Sequence, residues 1–208
     1  MKYAKICLIL LGVLVFSMGC SGLKGYGFKT EETLTYIKQD DSIISIFVED
    51  FDKSVYSEKE LKEAVTKEIE EYDQTAAEGA GVSMVDLYTS GGSAYLELQY
   101  KTVEDYCAYN SRYTYNGKAI AMSLSKASEI QPDTFQPDEL FIEHLDGGAM
   151  KDISFAEMDT SDTLKVLVTN EGMTFRVDGK IRYTSSNVAV NDEVIKTTAD
   201  ENNYIFYE

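Results

Sequence analysis

VSMVDLYTSGGSAYLELQYK, residues 82–101, is the stretch whose reading decides the fold. Two runs rich in Val, Leu and Tyr, residues 82–89 and 93–101, flank Ser90-Gly91-Gly92. Glycines there can take the backbone angles of a tight turn. In the second run Ala94, Leu96, Leu98 and Tyr100 alternate with Tyr95, Glu97, Gln99 and Lys101. A period of two places the first set on one side of a strand, so the stretch predicts an antiparallel hairpin with one buried face.

Working outward toward the N-terminus, residues 34–38 and 43–51 are β-rich and separated by Gln39-Asp40-Asp41-Ser42. They predict a second hairpin with Ile44, Ile46 and Val48 on one face. Between the hairpins, Ser57-Glu58-Lys59-Glu60 has the form of a capping box. Leu61, Val65, Ile69 and Tyr72 follow at three- and four-residue spacing, one apolar stripe of a helix, while Lys59, Glu63, Lys67 and Glu70 make its solvated side. Gly79 and Gly81 end that helix.

On the other side of the opening stretch, Thr102-Val103-Glu104-Asp105 starts a shorter helix carrying Tyr106, Cys107, Tyr109 and Asn110. Asn116-Gly117 signals a turn, and residues 118–124 predict a strand. From residue 125 to 151 the patterns weaken; Pro132 and Pro137 fall here, and long connections with short helical pieces are expected. Order returns with strand-like residues 164–169 and 173–177 around Asn170-Glu171-Gly172. Asp178-Gly179 then introduces residues 180–184, and short strands are expected at 188–190, 194–198 and 204–207. The class expected is α+β: an antiparallel sheet of β-hairpins with one main amphipathic helix and a shorter second helix. No internal repeat or linker divides residues 32–208, which read as a single domain.

The N-terminus speaks of location. Lys2 and Lys5 precede an unbroken eleven-residue run of apolar residues plus Gly12, residues 6–16, followed by Ser17, Met18, Gly19 and Cys20. That is the layout of a secretory signal, and at eleven residues the run falls well short of the roughly 20 that a spanning helix needs. Plain secretion is one reading. The stretch resembles the lipobox of bacterial lipoproteins, although Ser17 stands where that pattern usually has Leu. The resemblance implies cleavage after residue 19 and a diacylglycerol on the sulfur of Cys20, with residues 20–31, rich in glycine, as a flexible tether. Two acyl chains suffice for stable anchoring where one is marginal.

Further along, Val48-Glu49-Asp50-Phe51-Asp52-Lys53, Glu60-Leu61-Lys62, Glu104-Asp105-Tyr106 and Gly179-Lys180-Ile181-Arg182-Tyr183 resemble a group of uncharacterised surface lipoproteins of Gram-positive bacteria. The first hairpin and the helix after it are distantly similar to the LppM-type lipoprotein domain. Both resemblances imply an extracytoplasmic α+β domain on the outer face of the cytoplasmic membrane, and neither supplies a substrate or a catalytic residue.

Charge and cysteine content agree with that address. The chain carries a net charge of −17, which becomes −19 once Lys2 and Lys5 leave with the signal. Such a body is repelled by nucleic acid and by anionic headgroups, so contact with the membrane is expected through the lipid at Cys20 alone. Cys7 leaves with the signal and Cys20 is consumed by lipid; Cys107 then has no partner for an intrachain disulfide, and an exported domain must rely on its core.

The residues that could carry chemistry are few. Asp50-x-Asp52-x-Ser54 opens like a calcium loop, but Val55 and Leu61 stand where an EF-hand needs Gly and Glu, so a polar corner is expected there. Gly25-x-Gly27 lacks both the third glycine, Thr30 being in its place, and a preceding strand. Cys107 and His144 offer one thiol and one imidazole, too few for a zinc site of Cys and His ligands, yet a possible nucleophile and base. Acid pairs such as Asp159 and Asp162 are too common in this chain to single out. Tyr106, Tyr109, Tyr113 and Tyr115 could form an aromatic patch for a glycan or an envelope protein, or could be packing. The expectation is a non-enzymatic, membrane-anchored binding module with no cofactor or metal; the alternative is a small extracytoplasmic enzyme using Cys107 with His144.

Overall fold

A computed structural model describes residues 30–78, 81–113, 119–131, 134–135 and 139–208. The signal, Cys20, the tether up to Lys29, Gly79, Tyr115, Asn116-Gly117 and both prolines lie outside the described residues.

The chain runs β1 (Leu34–Ile37), β2 (Ile43–Asp50), α1 (Glu58–Asp73), β3 (Val82–Ser90), β4 (Ser93–Tyr100), α2 (Val103–Tyr113), β5 (Met122–Lys126), β6 (Leu140–His144) and β7 (Met150–Ser154). It continues through β8 (Lys165–Thr169), β9 (Thr174–Val177), β10 (Ile181–Ser185), β11 (Ala189–Asn191), β12 (Val194–Lys196) and β13 (Asn203–Tyr207). The class is α+β, with its strands divided between two sheets. One has the order β11-β12-β9-β1-β2-β4-β3, the other β5-β8-β13-β10-β6-β7.

The two hairpins form as the sequence predicts. β1 pairs antiparallel with β2 (Leu34 opposite Ile46), and β3 with β4 across Gly91-Gly92, both at positive φ. β2 then joins β4 along eight residue pairs, which fuses the hairpins into one surface. α1 starts where the capping pattern places it, with the Ser57 hydroxyl accepting from the Glu60 N–H at 3.4 Å. Val65 and Tyr72 are its buried side chains.

The C-terminal third behaves differently. The Asn170-Glu171-Gly172 turn joins strands of different sheets: β8 pairs with β5 and β13, whereas β9 lies parallel to β1 and antiparallel to β12. The next connection, Asp178-Gly179, crosses back to β10. The weak stretch also holds a hairpin, β6 with β7. A short repeat emerges there. Residues 28 positions apart play matching parts, Met122 and Met150 beginning the outer strands β5 and β7, and Glu129 and Glu157 closing the 3-10 turns that follow. In each turn the glutamate accepts a backbone N–H, from Lys126 and Ser154.

Two apolar clusters hold this arrangement. The first joins Ile43, Leu98 and Phe175 of the seven-stranded sheet with Leu167 and Ile205 of the six-stranded sheet and with Val65 and Tyr106 of the helices. The second lies on the other side of the six-stranded sheet, around Phe135, Phe141, Val166 and Phe206. β13 is buried along its whole length because Ile205 and Tyr207 enter the first cluster while Tyr204 and Phe206 enter the second.

Candidate binding face

The candidate chemistry can now be placed. Cys107 sits on α2, half-buried, with its Sγ donating to the Met122 carbonyl at 3.6 Å. Burial pushes its thiol pKa up, the opposite of what activates a nucleophile. His144 is on β6, its Nε2 3.0 Å from the Thr184 hydroxyl, and burial pushes its pKa down. Met122 belongs to β5 and His144 to β6, with β8, β13 and β10 between them. Four interstrand steps at about 4.8 Å make a separation of roughly 19 Å. The structure does not bring Cys107 and His144 together, and a dyad between them has no geometric basis.

The Asp50–Ser54 corner is an Asx turn: one Asp52 oxygen accepts from the Ser54 N–H at 2.8 Å and from its hydroxyl at 2.6 Å. Those bonds hold the Asp52 carboxyl below the usual range. Asp159 likewise accepts from the Ser161 N–H at 3.0 Å. No group of three or more His, Cys, Asp or Glu suited to a metal occurs among the described residues.

The tyrosines of α2 turn inward. Tyr106 and Tyr109 are buried, Tyr106 lying edge-on to Tyr100 and Tyr109 edge-on to Tyr72, with ring centres 5.1 and 5.6 Å apart. Tyr113 is in contact with Tyr109, and the Arg112 guanidinium covers its ring. Of the two readings open for Tyr106, Tyr109 and Tyr113, patch or packing, these three are packing, because the apolar side of α2 is needed to close the first cluster; Tyr115 lies outside the described residues. Beneath it Asp105, also buried, accepts from the Tyr72 hydroxyl at 2.8 Å, the Gly81 N–H at 3.1 Å and the Thr102 hydroxyl at 3.2 Å. One carboxylate thus ties the end of α1, the entry to β3 and the start of α2.

The surface that stands out is the outer side of the seven-stranded sheet. Ala94, Leu96, Leu98 and Tyr100 point toward the helices, so Tyr95, Glu97 and Gln99 point away. Cross-strand register carries Val48, Tyr95 and Tyr88 into one row and Ile46, Glu97 and Asp86 into the next. Tyr88 and Tyr95 stack with ring centres 4.8 Å apart and planes 7° from parallel. Leu34, Ile44 and Ile46 continue the surface across β1 and β2. None of these side chains belongs to either apolar cluster. They are nonetheless hidden: Ile44 is 0% exposed, Ile46 1% and Glu97 1%.

Glu97 is the chemical centre of this face. Neither carboxylate oxygen has a hydrogen-bond partner, and burial, with Asp86 alongside, pushes its pKa up. A buried acid without a donor is rare, and it marks a place where a cation or a donor would be well received. The sequence reading put Glu97 on a solvated side because alternation alone cannot show that both faces of a strand are covered. The signal available was Tyr95, a large aromatic on that same side.

No protein-family model, curated protein or solved structure matches the chain.

Proposed function

We propose that the protein is a lipid-anchored, extracytoplasmic binding module of the bacterial envelope, held on the outer face of the cytoplasmic membrane through Cys20, and that it is not an enzyme. The observation that carries this reading is the position of Cys20, directly behind a basic lead and a short apolar run. The described residues share a core that draws on both sheets and contain one cysteine, Cys107, which is free, and this is compatible with that reading. The separation of Cys107 from His144 supports the non-enzymatic reading over the alternative that pairs them.

The test is metabolic labelling. Radiolabelled fatty acid should enter the full chain and fractionate with membranes, and both label and membrane association should be lost in Cys20→Ala. Label retained by that variant would overturn the assignment. Copurification of the membrane-bound chain with its neighbours then reads out an envelope protein or glycan partner.

A further inference from the structure

Glu97 carries an unmet demand. It is buried, and neither of its carboxylate oxygens has a hydrogen-bond donor. A carboxylate so placed is destabilising until a cation with donors meets it. Its surroundings are specific. Ile46 and Asp86 flank it in one cross-strand row. Tyr95, two residues back on the same side of β4 and about 7 Å along the strand, stacks with Tyr88. β3 is the last strand of its sheet, so Glu97 stands one strand from the edge. The register shifts there between Met84 and Asp86, leaving Val85 exposed beside the half-buried Asp86. From that edge a ligand meets Asp86 first and Glu97 next.

We propose that this part of the face binds a guanidinium group from outside the chain, held by both Glu97 oxygens and stacked on the Tyr95 and Tyr88 pair. Two free oxygens on one carboxylate match the parallel N–H pair of a guanidinium, whereas an ammonium is a point donor. The same planar cation stacks on aromatic rings, which gives the tyrosines beside the acid a use. Asp86 adds negative charge on the side of entry. A metal fits less well: one Asp86 oxygen accepts from the Leu87 N–H at 2.9 Å, and no third His, Cys, Asp or Glu completes a metal group among the described residues. Nor does the chain supply the cation. Its three arginines are engaged elsewhere, Arg112 over the Tyr113 ring, Arg176 with Glu193 at 3.3 Å and Arg182 with Glu208 at 2.8 Å. This ligand class deepens the binding-module reading and rests on it; the guanidinium belongs to a small free compound or to an arginine side chain of a partner polypeptide.

Titration calorimetry of the full chain in detergent tests the site, with methylguanidinium and a blocked Gly-Arg-Gly peptide as probes and methylammonium and a blocked Gly-Lys-Gly peptide as their controls. Wild type should bind both guanidinium probes saturably and several-fold more tightly than the matching ammonium. Glu97→Gln, which keeps the shape and removes the charge, should weaken them at least tenfold. Tyr95→Leu keeps the acid and should weaken them several-fold, so the site is still tested if the first variant fails to fold. No saturable binding to the wild type, equal affinity for ammonium and guanidinium, or an unchanged affinity in a folded Glu97→Gln or Tyr95→Leu would overturn the proposal. A peptide bound at least tenfold more tightly than methylguanidinium supports a polypeptide source, and equal affinities support a small free compound. Cys20→Ala should bind as the wild type does, so a failure of the anchor, read by fatty-acid labelling, and a failure of this site are told apart.

Discussion

Asp105 carries a structural duty out of proportion to its size. Its oxygens satisfy donors from three separate elements in a buried setting. Deleting it would leave the Tyr72 hydroxyl and the Gly81 N–H without an acceptor. Asp105→Ala should lower unfolding free energy by about 3 kcal/mol, since each net bond contributes about 1 kcal/mol and orphaned donors add to the loss. Tyr72→Phe should cost about 1 kcal/mol, because Gly81 and Thr102 keep their acceptor. Urea midpoints of the two variants check the order. His144 makes a prediction in pH. Burial depresses its folded pKa below the ordinary 6.5, so the unfolded chain binds more protons between the two values. The stability linked to neutral His144 is complete above 6.5 and is lost as pH falls toward the depressed value. Stability measured from pH 7.5 to 5 should fall more steeply in the wild type than in His144→Gln; parallel curves would remove the linkage.

At the scale of elements, the connection from β9 to β10 is the most tightly constrained. Gly179 lies against the chain end, where an added Cβ would overlap the Glu208 carbonyl oxygen. Lys180 and Glu208 exchange backbone hydrogen bonds at 2.8 and 3.1 Å just beyond it. Gly179→Ala must push these strands apart and should cost about 1–3 kcal/mol, the range for overpacking in a closed site. Gly91, at φ +61° with open space around it, should cost about 1–2 kcal/mol as alanine, from backbone strain alone. Thermal midpoints of both variants test the two causes, and in Gly179→Ala faster amide exchange at Lys180 and Glu208 should accompany the loss. The helices show a related contrast. α1 follows its apolar stripe, whereas the tyrosines of α2 could be read as surface or core until the neighbouring sheet was known.

For the whole molecule, the first cluster draws on both sheets and both helices, so neither sheet has an independent core facing the other. β13 spans both clusters and links their fates. Unfolding should therefore be one cooperative transition, with far-ultraviolet circular dichroism and tyrosine fluorescence giving coincident curves. Phe206→Ala, fully buried on β13, should move both probes together and cost about 3–5 kcal/mol. Two resolved transitions would show that the sheets fold separately.

What the sequence determined by itself was local. Residues 82–101 and 34–51 specify hairpins because side-chain alternation and turn glycines act over a few residues, and Ser57 specifies a helix start for the same reason. The strands β6 and β7 escaped because the half-buried Glu143 of β6 and the exposed Lys151 and Asp152 of the edge strand β7 blur any alternation. Only the tertiary structure decided which strands share a sheet. The parallel meeting of β1 with β9 joins residues about 140 positions apart, and no local period encodes a contact at that distance. It also decided the site: Cys107 and His144, plausible partners by composition, are kept apart by three strands, while Glu97, unremarkable in its alternating run, becomes a buried acid because the other side of its strand is covered as well. Burial is a property of what lies above a residue, and that is supplied by distant chain.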